Sequence, residues 1–98
     1  MATTFVVLAT FTDQGIRDVK ETTRRADHFK EMAKKVGVTV KAMYWTLGPY
    51  DIVTILEAPD DESVTALSLS VAARGNVRTQ SLRAFSQADL GAVLGKLV

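Results

Sequence analysis

The period of the apolar positions changes along the chain, and each change predicts a new element of secondary structure. Residues 1–11 are rich in β-branched and aromatic side chains and predict a first strand. Over 16–36 the apolar residues recur on one face at helical spacing, which predicts a single amphipathic helix. Thr12 and Asp13 suit its N-terminal cap, and Gly37 suits the position after its C-terminus.

The second half of the chain predicts a hairpin, a second helix, a last strand and a short tail helix. Pro49 has the fixed φ that suits the second position of a tight turn, so the strands on either side of it are expected to pair antiparallel. An aspartate of the stretch 59–62 suits the cap of the second helix, and Gly75 follows its end. These elements are strands over 38–47 and 51–58, a helix over 59–74, a strand over 77–85 and a helix over 86–98.

This order of elements, βαββαβ followed by a tail, predicts an α+β fold of the ferredoxin-like type. We expect a four-stranded antiparallel sheet in the spatial order 4-1-3-2, with both helices on one face. The chain then forms one domain over 1–98, with a core over 1–85 and a short C-terminal helix over 86–98.

Apolar residues also occupy the face of the sheet that the helices leave open. A tight turn at Pro49 pairs Trp45 with Thr54. One face of the hairpin then carries Met43, Trp45, Leu47, Ile52 and Leu56, and the other carries Val38, Val40, Tyr44, Val53 and Ile55. Leaving several such side chains in water forgoes about 25 cal/mol for each Å² of apolar surface. We therefore expect two copies to pack face to face as a homodimer, with a higher oligomer as an open alternative.

Composition and charge exclude several classes of protein. Hydrophobic residues make up 47% of the 98 residues and charged residues 23%, which is ordinary for a folded domain and unlike a disordered chain. The absence of cysteine excludes disulfides and thiolate chemistry, and a cytoplasmic location is expected. No apolar run approaches the roughly 20 residues of a membrane helix, and the N-terminus lacks the pattern of a signal peptide, so no membrane partner is expected.

Nucleic acid is not an expected partner either. The net charge is +1. The strand over 51–58 lacks the aromatic residues that RNA-recognition motifs of the same element order use for stacking. Residues 17–41 carry eight Lys or Arg against four Asp or Glu. These charges interleave at helical spacing, which favours a solvated face over an anion-binding surface. No nucleotide-binding, metalloprotease or serine-hydrolase motif occurs in the sequence.

The stretch over 44–62, with Gly48, Tyr50 and Asp51 in its turn, resembles the GYD-domain family, which is named for a Gly-x-Tyr-Asp turn. The stretch over 75–85 is similar to the family's last strand. The resemblance implies a dimeric α/β barrel. Proteins of that architecture include cofactor-free and haem-dependent oxygenases, small isomerases and the effector domains of Lrp/AsnC-like regulators, so the fold alone does not select an activity.

Three aromatic residues near the turn are candidates for ligand binding. Tyr44 and Trp45 point to opposite faces of their strand, so only one of them can line a given cavity. Tyr50 is expected either to line a cavity or to pack across the dimer. For each of the three, packing in the core or at an interface is the competing interpretation.

Two carboxylates and one arginine complete the set of candidates. Asp51 closes the turn, where hydrogen bonds to turn amides are its structural interpretation. Glu57 ends an otherwise uncharged strand, and Arg83 on the last strand is a candidate partner for it. A buried Glu57 with a raised pKa can serve as a general base, whereas a strand-end residue that reaches water has no such role. His28 is expected to face solvent.

We therefore predict a homodimeric domain that binds a small organic ligand, with no cofactor and no metal. One alternative is a cofactor-free oxygenase or isomerase that uses Glu57 or Asp51 as its base. The other is an interaction module without a ligand.

Overall fold

The computed structural model describes residues 2–98 and forms one four-stranded antiparallel sheet with helices. Met1, which the sequence places in the first strand, lies outside the described residues. A short 3₁₀ segment, Val19–Glu21, separates the first two helices. The elements are β1 Thr3–Phe11, α1 Asp13–Arg17, α2 Thr22–Lys35, β2 Thr39–Trp45, β3 Ile52–Ala58, α3 Asp61–Ala73, β4 Val77–Ala84 and α4 Gln87–Leu94.

The sheet has the order β2-β3-β1-β4, which confirms the predicted ferredoxin-like topology. Its core lies between one sheet face and the two long helices. Leu56 from β3, Ala33 from α2 and Leu67 from α3 are all at most 2% exposed and belong to one apolar cluster. Both α2 and α3 therefore cover the same face, as predicted, and the opposite face, which these two helices leave open, is here called the outer face.

The first helix is not continuous, which corrects the prediction of one helix over 16–36. Asp18 leaves helical geometry, and α1 is followed by the 3₁₀ segment and then by α2. The guanidinium of Arg25 donates to the carbonyls of Gly15 (3.2 Å) and Asp18 (3.1 Å). These carbonyls lie at the end of α1, where helical partners are missing. Ile16 is consequently 52% exposed rather than part of the predicted apolar stripe.

The caps of this region agree with the sequence. The hydroxyl of Thr12 accepts a hydrogen bond from the Gly15 amide and caps α1. Gly37 has a φ of +75°, the left-handed conformation that glycine adopts after a helix C-terminus.

The hairpin has a longer loop and a different register from the prediction. Trp45 pairs with Ile52 rather than with Thr54, and the loop spans 46–51. The amide of Thr46 donates to the carbonyl of Asp51 (2.8 Å), which closes this loop. The pairing is displaced by an even number of residues, so the residues nearest the turn keep their predicted faces.

A bulge in β2 overturns the predicted faces of two valines. Val40 pairs with Leu56 and Ala42 with Ile55, so β2 has an extra residue at this point. The extra residue exchanges the two faces. Val38 is 2% exposed and lies in the core with Val40 packed against it, instead of sharing the outer face with Tyr44.

The tail helix α4 begins with a capping box formed by Ser86 and Asp89. The large apolar residues of α4 are exposed: Leu90, Val93 and Leu94. Within residues 2–98, no helix is long and apolar enough to cross a membrane.

Candidate functional site

A cavity of about 400 Å³ lies between the sheet and the helices α2 and α3. Ligand pockets in proteins range over about 300–1,000 Å³, so this cavity suits a small molecule. Most of its lining is apolar. The principal apolar side chains are Val7 and Ile52 from the sheet, Phe29 and Met32 from α2, Met43 from β2 and Val71 from α3.

The polar groups of the cavity have different degrees of burial. Thr54 lines the cavity and is 4% exposed, the one buried polar residue within the described core. Arg25 is half-buried, whereas His28 and Arg74 are exposed. The cavity therefore combines a mostly apolar lining with ionisable groups that also reach water.

Arg25 is held in a defined position at the cavity. Its two hydrogen bonds to the end of α1 use carbonyl acceptors, and its guanidinium carbon lies 6.0 Å from the centroid of the Phe11 ring. A cation within about 6 Å of an aromatic centroid is attracted by the ring. Carbonyls and an aromatic ring orient the guanidinium without neutralising its positive charge.

Polar contacts also fix the loop between α3 and β4 beside the cavity. The amide of Thr12 donates to the carbonyl of Asn76 (3.1 Å), and the side chain of Gln14 donates to the carbonyl of Arg74 (3.0 Å). The same Gln14 amide group donates to the Asn76 side chain (3.0 Å). Since Arg74 and Asn76 both line the cavity, these bonds position one side of it.

The charges of the cavity lining have one sign. Arg25, Arg74 and His28 are the ionisable residues of its lining, and it contains no Asp or Glu from the described chain. The ion pairs found among residues 2–98 are Arg24 with Glu21 (3.6 Å) and Lys41 with Glu57 (3.2 Å). Neither pair involves Arg25 or Arg74, so neither guanidinium lies within 4.0 Å of a carboxylate of the described chain.

None of the six candidate residues of the sequence belongs to the lining of this cavity. Tyr44 is 62% exposed on the outer face. Trp45 contacts a residue of the lining, because its indole N–H donates to the hydroxyl of Thr22 (3.0 Å). The hydroxyl of Tyr50 donates to the side chain of Gln80 on β4 (3.3 Å).

Asp51 contacts a neighbouring strand instead of the turn amides considered from the sequence. Its carboxylate accepts from the amide of Phe11 (2.8 Å), and its own amide donates to the carbonyl of Ala9 (2.8 Å). Both bonds link the hairpin loop to β1. Gly48, with a φ of +107°, gives this loop a conformation that other residues rarely adopt.

Arg83, the candidate partner of Glu57, does not pair with it. Glu57 lies opposite Thr4 on the outer face, whereas Arg83 lies opposite Phe5 on the helix-covered face. Glu57 pairs with Lys41, and its side chain is 35% exposed. Arg83 stacks over the ring of Phe85 at 4.5 Å and donates to the carbonyl of Ala84.

Three ionisable residues of the cavity, His28, Arg25 and Arg74, are not among the sequence-based candidates. His28 was expected to face solvent; it is exposed and also lines the cavity. Arg25 and Arg74 lie far apart in the sequence, and no local pattern indicates that they share a cavity. Within the described chain, no three His, Asp or Glu side chains come together in a group that could hold a metal ion.

Comparison with known proteins confirms the resemblance noted in the sequence. The family model described as "GYD domain" matches residues 5–94. This chain belongs to the GYD-domain family. A protein of Thermus thermophilus, named "Glutamine synthetase and cystathionine beta-lyase binding protein", is 44% identical over 88 residues, which cover 89% of this chain and 93% of that protein. No solved structure gives a significant match to this chain.

Proposed function

We propose that this GYD-domain protein is a homodimer that binds a small organic ligand between its sheet and its helices. The observation that carries the proposal is the apolar cavity of about 400 Å³. Apolar cavities of this size with a few convergent polar groups are the usual form of small-molecule sites. The buried Thr54 and the oriented Arg25 supply such polar groups.

A ligand screen with a cavity-filling variant tests this proposal. Ala26 lies on α2 in the cavity lining and is 8% exposed, so Ala26→Leu adds side-chain volume inside the cavity. We expect some members of a panel of small aromatic and branched compounds to raise the melting temperature of the wild type but not that of Ala26→Leu. Ala66→Leu, at an exposed position on α3 outside the lining, is the matched control and should behave like the wild type.

Circular dichroism establishes that Ala26→Leu retains the native fold, and Thr79→Leu, also in the lining, provides a second filled cavity. A wild-type protein that binds no compound of the panel by calorimetry would contradict the proposal. Undiminished binding to both folded filling variants would contradict it as well.

The homodimer is supported by the composition of the outer face. Val6 lies opposite Ile55 and Leu8 opposite Val53 on this face, and all four remain partly exposed in the single chain. Leu82 on β4 is 48% exposed on the same face. A second copy packed against this face would remove these side chains from water.

The relative from Thermus thermophilus favours a second function, that of a protein which binds enzymes. By this proposal the chain binds glutamine synthetase or cystathionine β-lyase from its own organism. Sedimentation velocity of the purified chain mixed with each purified enzyme tests it directly. A shared boundary supports an interaction protein, and independent boundaries at micromolar concentrations with both enzymes exclude these two partners.

The geometry gives less support to the enzyme alternative with Glu57 or Asp51 as base. Asp51 bonds the Phe11 amide and Glu57 pairs with Lys41, and both carboxylates lie outside the cavity lining. Neither is therefore placed to receive a proton from a molecule bound in the cavity.

A further inference from the structure

The ligand class can be inferred from the charges of the cavity, and this inference rests on the proposed ligand-binding function. The lining contains both apolar and cationic side chains. Phe29, Met32 and Met43 supply apolar surface, whereas Arg25 and Arg74 supply positive charge. A ligand that satisfies both parts has a compact hydrocarbon body and an anionic group.

The position of Arg25 favours an anionic ligand. Its guanidinium is half-buried and oriented by the carbonyls of Gly15 and Asp18 and by the ring of Phe11. A guanidinium carries more N–H donors than these two bonds use, and its planar fork matches a carboxylate. An orienting shell of neutral groups therefore leaves Arg25 able to bind an anion.

The rest of the polar lining agrees with this preference. The backbone of Arg74 is fixed by the hydrogen bond between its carbonyl and the side chain of Gln14, which also contacts Asn76, and the Arg74 side chain lines the cavity. His28 provides a further polar group, and no carboxylate of the described residues faces these three side chains from the lining. A cationic ligand would meet like charge there without a countercharge, and a neutral ligand would form no charge-assisted hydrogen bond with the arginines.

We propose that the cavity binds an amphipathic organic carboxylate, with an aromatic or branched hydrocarbon group against the apolar lining and the carboxylate at Arg25 and Arg74. The limited volume of the cavity, about 400 Å³, favours a single ring or a short branched chain over a long acyl chain or a tetrapyrrole.

Three compounds with one hydrocarbon skeleton test the inference: 3-phenylpropionate, 3-phenylpropionamide and 3-phenylpropylamine. By calorimetry at low salt we expect the carboxylate to bind at least about tenfold more tightly than the amide, a difference of about 1.4 kcal/mol. The amine should bind most weakly. Raising the salt concentration should weaken the binding of the carboxylate and leave the binding of the amide nearly unchanged.

Arginine variants test which side chains contact the carboxylate of the ligand. Arg74→Met is at an exposed position and should reduce carboxylate affinity about tenfold while leaving amide affinity unchanged, as expected when a charge-assisted hydrogen bond is lost. Arg25→Met should act in the same direction, with its fold checked by circular dichroism because it also loses the bonds to the end of α1. Arg24→Met is the matched control, since Arg24 pairs with Glu21 outside the lining.

The outcomes separate this inference from the proposed function. If the carboxylate and the amide bind equally and Ala26→Leu abolishes both, the anion preference is overturned while the ligand site stands. The same conclusion follows if only neutral members of the wider panel bind. If nothing in the panel binds the wild type, both proposals fail.

Discussion

Gly15 shows how a single residue positions one side of the cavity. It is buried, and a Cβ atom added to it would lie 2.0 Å from the carbonyl oxygen of Asn76. That carbonyl accepts the amide of Thr12, so α1 lies directly against the loop between α3 and β4. Only glycine permits this close approach, because any side chain would displace the backbone of the loop.

We expect Gly15→Ala to lower the free energy of unfolding by about 1–3 kcal/mol, the usual cost of adding atoms to a packed site. Urea unfolding monitored by circular dichroism measures the change. Gly91→Ala is the control, because nothing lies within 4 Å of a Cβ atom at Gly91 in α4. That control should be neutral or slightly stabilising, and an equal effect of the two variants would contradict the steric explanation.

Asp51 joins the hairpin loop to β1 through the amide of Phe11. Asp51→Ala removes the acceptor from a partly buried amide, and we expect a loss of about 1–3 kcal/mol in the free energy of unfolding. Asp51→Asn keeps an oxygen acceptor and should lose less. Chemical denaturation of the two variants makes the comparison, and equal stability of Asp51→Ala and the wild type would show that this bond contributes nothing.

At the scale of elements, α3 begins at the N-cap residue Asp60, whose charged carboxylate is stabilised by hydrogen bonds from the first turn of the helix. The carboxylate of Asp60 accepts from the hydroxyl (2.7 Å) and the amide (2.8 Å) of Ser63. The side-chain bond, followed by the backbone bond, lowers the pKa of Asp60 below its ordinary value. The cap therefore couples the stability of α3 to pH.

The sign of this coupling follows from the lowered pKa in the folded state. The contribution of Asp60 is complete above the unfolded pKa and is lost as the pH falls through the folded pKa. We expect the stability difference between the wild type and Asp60→Asn to shrink on acidification, as measured by urea unfolding at several pH values. Ser63→Ala should raise the pKa of Asp60 in an NMR titration, and an unchanged pKa would contradict the assigned cause.

The bulge in β2 determines which valines enter the core. Val38 is 2% exposed, so Val38→Ala should cost about 1–3 kcal/mol in the free energy of unfolding. Leu47 in the hairpin loop is fully exposed, and Leu47→Ala should stay within about 0.5 kcal/mol of the wild type. Guanidinium unfolding measures both variants, and a small effect at Val38 would favour the uninterrupted alternation that the sequence predicts.

At the scale of the whole molecule, the outer face determines the state of association that we propose. Leu82→Glu places a charge among the apolar residues of this face, where burial of an unpaired charge is costly. We expect the variant to weaken self-association by at least about tenfold, corresponding to about 1.4 kcal/mol.

Sedimentation equilibrium measures this change in self-association. Leu69→Glu is the control, because Leu69 is 66% exposed on α3, away from the outer face. A wild-type protein that remains a folded monomer at micromolar concentrations would contradict the homodimer.

Most of the fold was predictable, and the candidate site was not. Thr12, Gly37 and Asp60 mark element ends through local conformation and hydrogen bonding, so the sequence indicates them directly. Trp45, a ligand-binding candidate from the sequence, does not line the cavity but contacts Thr22, which does. Arg25 and Arg74 carry no periodic or motif signal, because their shared position depends on how α2 and α3 pack on the sheet.

The sequence by itself determined the order of elements, the helix caps and the family, because period, capping and the Gly-x-Tyr-Asp turn are properties of neighbouring residues. Tertiary structure alone decided the faces of Val38 and Val40, the partner of Glu57 and the cationic cavity. Each of these depends on pairing between distant segments, where one bulge or one helix break changes which side chains meet.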